Sequence, residues 1–303
     1  MSVKLKIPHA HTGAIHALSY NSNGSYVLSG GQDRKVVLWN ANSGVKVQVY
    51  QFHAYEILDI NVTFDDTRFV SCGGDRTAYV CDVSSGKTTN RFTGHIARIN
   101  SACFNFDSSV VATASYDKTV KMWDCRSSSH SPIQTLTDAS DSVSSVVIDR
   151  AQVFTGSVDG KVRIYDIRKG KLSTMTIGYP VTSVKPNVDG DTVLVSSLDS
   201  RIRLMDVADG NLLKTYKGHV NMLYRIKSAF VKNESEVVTC SEDGKIYFWD
   251  IESGEIERTL TQTSQLNSNS TMSSTSYSLA IHPTTNEIST SSLDGSIQLW
   301  NKF

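Results

Sequence analysis

The stretch GHIARINSACFNFDSSVVATASYDKTVKMWD (94–124) decides the fold of this chain. It opens on Gly-His and closes on Trp-Asp. Between them INSACFNF (99–106), VVATASY (110–116) and TVKMWD (119–124) alternate or run apolar, and polar turns separate them. Such runs predict three short antiparallel strands. PIQTL (132–136) predicts a fourth strand before the pattern begins again.

Working outward from Asp117, the same turn aspartate recurs as Asp33, Asp75, Asp159, Asp199, Asp243 and Asp294. Successive spacings along the chain are 42, 42, 42, 40, 44 and 51 residues. Six positions after each stands Trp39, Cys81, Trp123, Tyr165, Met205, Trp249 or Trp300, and an Asp or Asn always follows. Four positions before each stands Ser29, Ser71, Thr113, Thr155, Val195, Thr239 or Thr290. A period of about 40–45 residues with a Gly-His to Trp-Asp frame is that of a propeller blade. A lone four-stranded sheet leaves both faces wet, so the blades must stack around an axis.

The expected architecture is therefore all-β: one seven-bladed propeller of WD-type repeats filling residues 1–303. The last repeat ends on its third strand, IQLWNKF, and the alternating VKLKI (3–7) precedes the first. Residues 3–7 are expected to supply the outer strand of blade seven and leave no open sheet edge. The Ser/Thr-rich TQTSQLNSNSTMSSTS (261–276) lengthens the last spacing and reads as a flexible loop between blades six and seven.

His11, His53 and His95 each lie 22 residues before their turn aspartate, and His219 lies 24 before. His95 with Thr113 and Asp117 matches a catalytic triad in composition. The repeat gives a better reading: His, Ser or Thr, Asp and Trp form a buried relay that locks a blade. Complete sets are expected in blade one (His11, Ser29, Asp33, Trp39), blade three (His95, Thr113, Asp117, Trp123) and blade six (His219, Thr239, Asp243, Trp249). A group repeated three times inside blades is not an active site. No phosphate-binding loop, H-E-x-x-H helix or nucleophile elbow occurs. His9 and His11 have no carboxylate or thiol at ligand spacing. The expectation is a non-enzyme with no metal and no cofactor.

Lys plus Arg and Asp plus Glu number 30 each, so no global field draws the chain to nucleic acid or anionic lipid. Direct RNA binding is thereby disfavoured. The five cysteines include no C-x-x-C pair and sit mostly in apolar runs, as reduced core thiols do. No apolar run approaches the roughly 20 residues of a membrane helix, and no leader is evident. The expected locations are nucleus and cytoplasm, and the propeller is expected to be a monomer that docks proteins.

Docking is expected on the rim where the loops leading into the blades meet the second-to-third-strand turns. The exposed candidates are Tyr55, Glu56, Arg98, Tyr116, Tyr179, Leu198, Met222, Tyr224 and Glu242. Tyr, Met and Leu beside Arg and Glu is the composition of an interface centre. A separate signal is the pair WDCR (123–126) and YDIR (165–168), ending in Arg126 and Arg168. Consecutive repeats of this form resemble the box that docks substrate receptors onto cullin-ligase adaptors. Against that stands a local pairing of each Arg with an Asp on the same rim.

Beyond the repeat, WDCRSSSHSPIQTLTDASDSVSSV (123–146), GSVDGKVRIYDIRKGKL (156–172), LVSSLDSRIRLMDVADGNLLKTYKGH (194–219) and CSEDGKIYFWD (240–250) resemble the mitogen-activated protein kinase organizer family of WD-repeat scaffolds. AYEILDI (54–60) fits it too. That resemblance implies a scaffold for spliceosomal factors, for kinase-cascade components, or for both.

Overall fold

In all seven repeats the residue after the turn aspartate has a left-handed backbone: Arg34, Arg76, Lys118, Gly160, Ser200, Gly244 and Gly295, with φ between 57° and 81°. In six repeats the aspartate carboxylate accepts the amide two residues on, as in Lys35 N to Asp33 Oδ1 (3.2 Å) and Thr119 N to Asp117 Oδ1 (3.0 Å). This is an Asx turn, and it explains why the position is Asp even where no histidine accompanies it. Each such turn folds the second strand of a blade onto the third.

The computed structural model describes residues 2–127, 131–231, 233–262 and 276–301. It is a seven-bladed β-propeller of seven four-stranded antiparallel sheets. The first strands of the blades are β2 (Ile15–Tyr20), β6 (Ile57–Val62), β10 (Ile99–Phe104), β14 (Val143–Asp149), β18 (Val181–Pro186), β22 (Ser228–Val231) and β26 (Ser276–Ile281). Each neighbours the next, and β26 returns to β2, so they line a central channel.

The core lies between blades. Val70, Val80 and Phe92 of blade two pack on Ile99, Phe104 and Trp123 of blade three. Polar staples join adjacent blades outside the core as well. Asp66 in a turn of blade two accepts from Ser22 N (2.7 Å), Ser22 Oγ (2.7 Å) and Asn21 Nδ2 (2.9 Å) of blade one.

Blade seven is built from both ends of the chain. Strand β1 (Val3–Ile7) pairs antiparallel with β28 (Ile297–Trp300), placing Leu5 opposite Leu299 and Ile7 opposite Ile297. Ile7 then joins Ile15, Leu18, Trp39 and Leu299 in one cluster that spans blades seven and one. Most of the segment 261–276, read from the sequence as a loop, lies outside the described residues.

Candidate functional site

The upper face carries the loops leading into each blade and the second-to-third-strand turns; the lower face carries the remaining turns. What positions the upper loops is the relay beneath them. In blade three Trp123 Nε1 donates to Thr113 Oγ1 (2.8 Å), which bonds His95 Nε2 (2.8 Å), while His95 Nδ1 meets Asp117 Oδ2 (2.8 Å). An indole only donates and a carboxylate only accepts, so an imidazole protonated on Nδ1 satisfies all four groups. Blade one repeats it through Trp39, Ser29, His11 and Asp33. Blade two keeps His53, Ser71 and Asp75, with Cys81 replacing the indole. Burial alone would raise the Asp33, Asp75 and Asp117 carboxyls, but the histidine and amide bonds outweigh it and hold all three below the usual range.

The relay expected in blade six is not assembled. His219 is buried with neither ring nitrogen hydrogen-bonded, and burial, foremost, pushes its pKa down to about 4. Trp249 Nε1 donates to Lys217 O (3.0 Å), Thr239 Oγ1 to Lys227 O (2.9 Å), and Tyr247 OH to Asp243 Oδ2 (2.7 Å). The cause is the backbone. In blades one to three the first strand begins four residues after the histidine; in blade six it begins at Ser228, nine after His219.

Blades four and five lack the histidine and replace it with arginine. Arg163 forks onto Asp159 (2.8 and 3.3 Å), and Arg203 onto Asp199 (2.6 and 3.2 Å) with a further bond to Ser197 Oγ (2.7 Å). Both arginines are buried, and bidentate pairing makes such burial tolerable. The signal stands in the sequence as Asp-x-x-x-Arg in blades four and five, two of the three repeats without the entry histidine.

The released segment of blade six shapes the upper face. Glu242 Oε1 accepts the amides of Met222 (2.8 Å), Leu223 (2.7 Å) and Tyr224 (2.9 Å), fixing a loop whose Met222 and Leu223 side chains are 63% and 73% exposed. Tyr224 is half-buried, edge-on to Tyr277 (5.4 Å). Glu242 is thus a positioner of the loop. Arg225 follows and crosses the channel. Its guanidinium donates to the carbonyls of Asn100, Ser144 (2.7 Å) and Leu58 (2.9 Å), on blades three, four and two.

Around this plug the exposed side chains of Tyr55, Ile96, Tyr116, Tyr179, Met222 and Leu223 form an apolar annulus. Exposed Arg98 lies over the Tyr116 ring at 5.1 Å, a cation–π pair. Glu56 and Leu198 are half-buried, and Leu198 N donates to Pro180 O (2.9 Å). A cavity of about 280 Å³ beside the plug is lined by His16, Leu58, Thr182, Leu223 and Arg225. His16, half-buried, is held down to about 4, foremost by its removal from water and then by that guanidinium. Ile96, Leu223 and Arg225 were not singled out in the sequence, though each adjoins a residue that was. Arg126 and Arg168 are exposed on the lower face, with Arg126 Nε 3.4 Å from its own Asp124 Oδ1. Among the described residues no three His, Cys, Asp or Glu converge to hold a metal, and no helix is long and apolar enough to cross a membrane.

The model of the WD domain, G-beta repeat, matches seven segments: residues 2–40, 44–82, 86–124, 130–166, 170–206, 210–250 and 264–301. The chain is 46% identical over 299 residues to WD repeat domain-containing protein 83 of Homo sapiens, covering 99% of this chain and 92% of that one. It is 49% identical over 288 residues to the Danio rerio protein of the same name (95% and 88%). An uncharacterized WD repeat-containing protein of Schizosaccharomyces pombe is 46% identical over 264 residues (87% and 88%).

Proposed function

The chain belongs to the WD-repeat family, and on that premise we propose that it is a non-catalytic scaffold whose upper face holds protein partners of a large assembly. The observation that carries this reading is the annulus of Tyr55, Ile96, Tyr116, Tyr179, Met222 and Leu223 around a channel closed by Arg225. Large apolar side chains held out from fixed loops around a polar, plugged centre suit a protein interface rather than a small substrate. The hydroxyls and imidazoles that resemble a triad face inward, hydrogen-bonded and buried, with no route to a substrate.

Within that class, the scaffold serves pre-mRNA splicing first and mitogen-activated kinase cascades second, in the nucleus and cytoplasm. Docking onto a splicing assembly asks only for a rigid face, which the relays supply.

The test is partner purification after nuclease treatment, comparing wild type with a Tyr55→Ala, Tyr116→Ala, Met222→Ala, Leu223→Ser variant. Splicing factors recovered with wild type and lost with the variant support the reading. Their undiminished recovery by a folded variant refutes the site. Kinases in their place would move the role to signalling. A ligase substrate receptor is the other reading, favoured by the exposure of Arg126 and Arg168 on one face. Changing both to Ala would then abolish binding of the cullin adaptor and leave upper-face partners untouched.

A further inference from the structure

On the lower face the channel opens into a second cavity of about 880 Å³. Strand pairing sets its levels. Leu18, Ile60, Ala102, Val146, Val184, Ser228 and Leu279 stand opposite the Ser/Thr/Val position of each second strand. One residue further down stand Ser19, Asn61, Cys103, Val147, Ala229 and Ala280, together with Lys185. Lys185 is the one charged side chain of that layer. Three residues further on, at the rim, Phe64, Phe106 and Val188 are 70%, 78% and 77% exposed, with the two phenyl rings 5.5 Å apart.

The cavity is blind. Above Lys185 the salt bridge between Lys227 Nζ and Asp59 Oδ1 (2.6 Å) crosses the channel, with Ser101 Oγ on the other Asp59 oxygen (2.7 Å). Above that lies the Arg225 plug. A polypeptide entering from below cannot thread through, so an extended strand has to end inside or turn back.

The cations at this mouth differ in commitment. Lys227 has Asp59, and the Arg150 guanidinium donates to Asp189 O (2.5 Å) and Val188 O (2.9 Å). The Lys185 ammonium makes no hydrogen bond or ion pair with any described residue, although solvent reaches it within the cavity. Crowding by the channel wall, foremost, and the neighbouring Lys227 push its pKa down, outweighing the opposite pull of the Asp149 and Glu234 carboxylates. An arriving carboxylate relieves that cost.

We propose that the lower cavity receives the free C-terminus of a partner polypeptide, its α-carboxylate paired with Lys185 and its apolar side chains against Phe64, Phe106 and Val188. Three residues of strand span about 10 Å, so an extended tail of three or four residues reaches from rim to ammonium. A chain N-terminus reaching the same depth would meet like charge at Lys185. Asp149 and Glu234, which also line the mouth, disfavour further acids upstream of the terminal carboxylate. The site lies opposite the upper annulus and does not rest on its role.

The experiment uses a library of fluorescein-labelled hexapeptides with apolar or aromatic residues at the last four positions, prepared as free acids and as C-terminal amides. Fluorescence anisotropy is read on the intact protein. The expected result is binding by a subset of the acids, weakened at least tenfold by amidation. Lys185→Met should weaken the acids equally and abolish the difference between acid and amide, whereas Lys185→Arg should keep it. Phe64→Ser with Phe106→Ser should weaken both forms, and Met222→Ala on the upper face neither. Absence of any acid binder, equal binding of acids and amides, or equal competition by peptides with an internal Glu and an amidated end overturns the proposal. The amidation comparison needs no variant, so it stands even if a substitution impairs folding.

Discussion

Replacing Thr113 by Val keeps the shape of the side chain and removes one hydroxyl, the centre of the relay in blade three. That hydroxyl accepts from Trp123 Nε1 and bonds His95 Nε2, each at 2.8 Å, in a site from which solvent is excluded. Val leaves a buried indole donor and a buried imidazole nitrogen without partners. At roughly 1–3 kcal/mol for each orphaned group, the variant should lose about 2–6 kcal/mol of stability. The same change at Thr239 is the control. Its hydroxyl serves only Lys227 O, because Trp249 and His219 do not reach it, so the loss there should be about 1 kcal/mol. Urea titration followed by tryptophan fluorescence measures both, the midpoint shift at constant slope giving the difference. Equal losses at the two threonines would mean that blade six has a working relay and that the geometry derived for it is wrong. A loss at Thr113 under about 1 kcal/mol would mean that the relay contributes little to locking the blade.

Three further outcomes follow from the same structure. His16 and His219 stay neutral when folded to about pH 4 but take a proton near 6.5 when unfolded, so neither affects stability above pH 6.5. Between pH 6.5 and 4 each should remove up to about 3 kcal/mol, and a His219→Leu variant whose urea midpoint falls as steeply with acidification would refute this. Arg225→Met should cost about 2–4 kcal/mol, less than three charged hydrogen bonds because channel water replaces part of them; an unchanged midpoint would show that the plug adds nothing to stability. Deleting residues 2–7 should bare the β28 edge and give dimers or larger species on size exclusion, against which a monomer of wild-type stability would count.

Seven blades are legible in one residue, the turn aspartate, because its Asx turn, made in six of the seven copies, is local and recurs at a fixed place in each repeat. The relays of blades one and three are legible for the same reason: spacing alone brings His, Ser or Thr, Asp and Trp together once the strands pair. Blade six has the same four residues and a different arrangement. What separates it is the path of 219–227, fixed by Glu242 on three amides and by Arg225 on carbonyls as far as 167 positions away in the chain. No local pattern encodes contacts at that separation. Phe106 is a smaller case. It extends the apolar alternation of INSACFNF, yet the strand ends at Phe104 and Asn105 begins the turn, so Phe104 is buried while Phe106 faces solvent. Arg163 and Arg203 are encoded locally, each four residues after its Asp, but a buried arginine does not look like the counterpart of a histidine until that Asp is seen to need one.

The pairing of β1 with β28 also sets a timetable. The first strand leaves the ribosome roughly 300 residues before its partner, which at about 5–20 residues per second is roughly 15–60 seconds. Throughout that interval VKLKI is a nascent strand with nothing to pair against. Its two lysines are suited to the wait: Lys4 later finds Glu287 at 2.7 Å, and until then like charge keeps the segment from joining its counterpart on a neighbouring nascent chain.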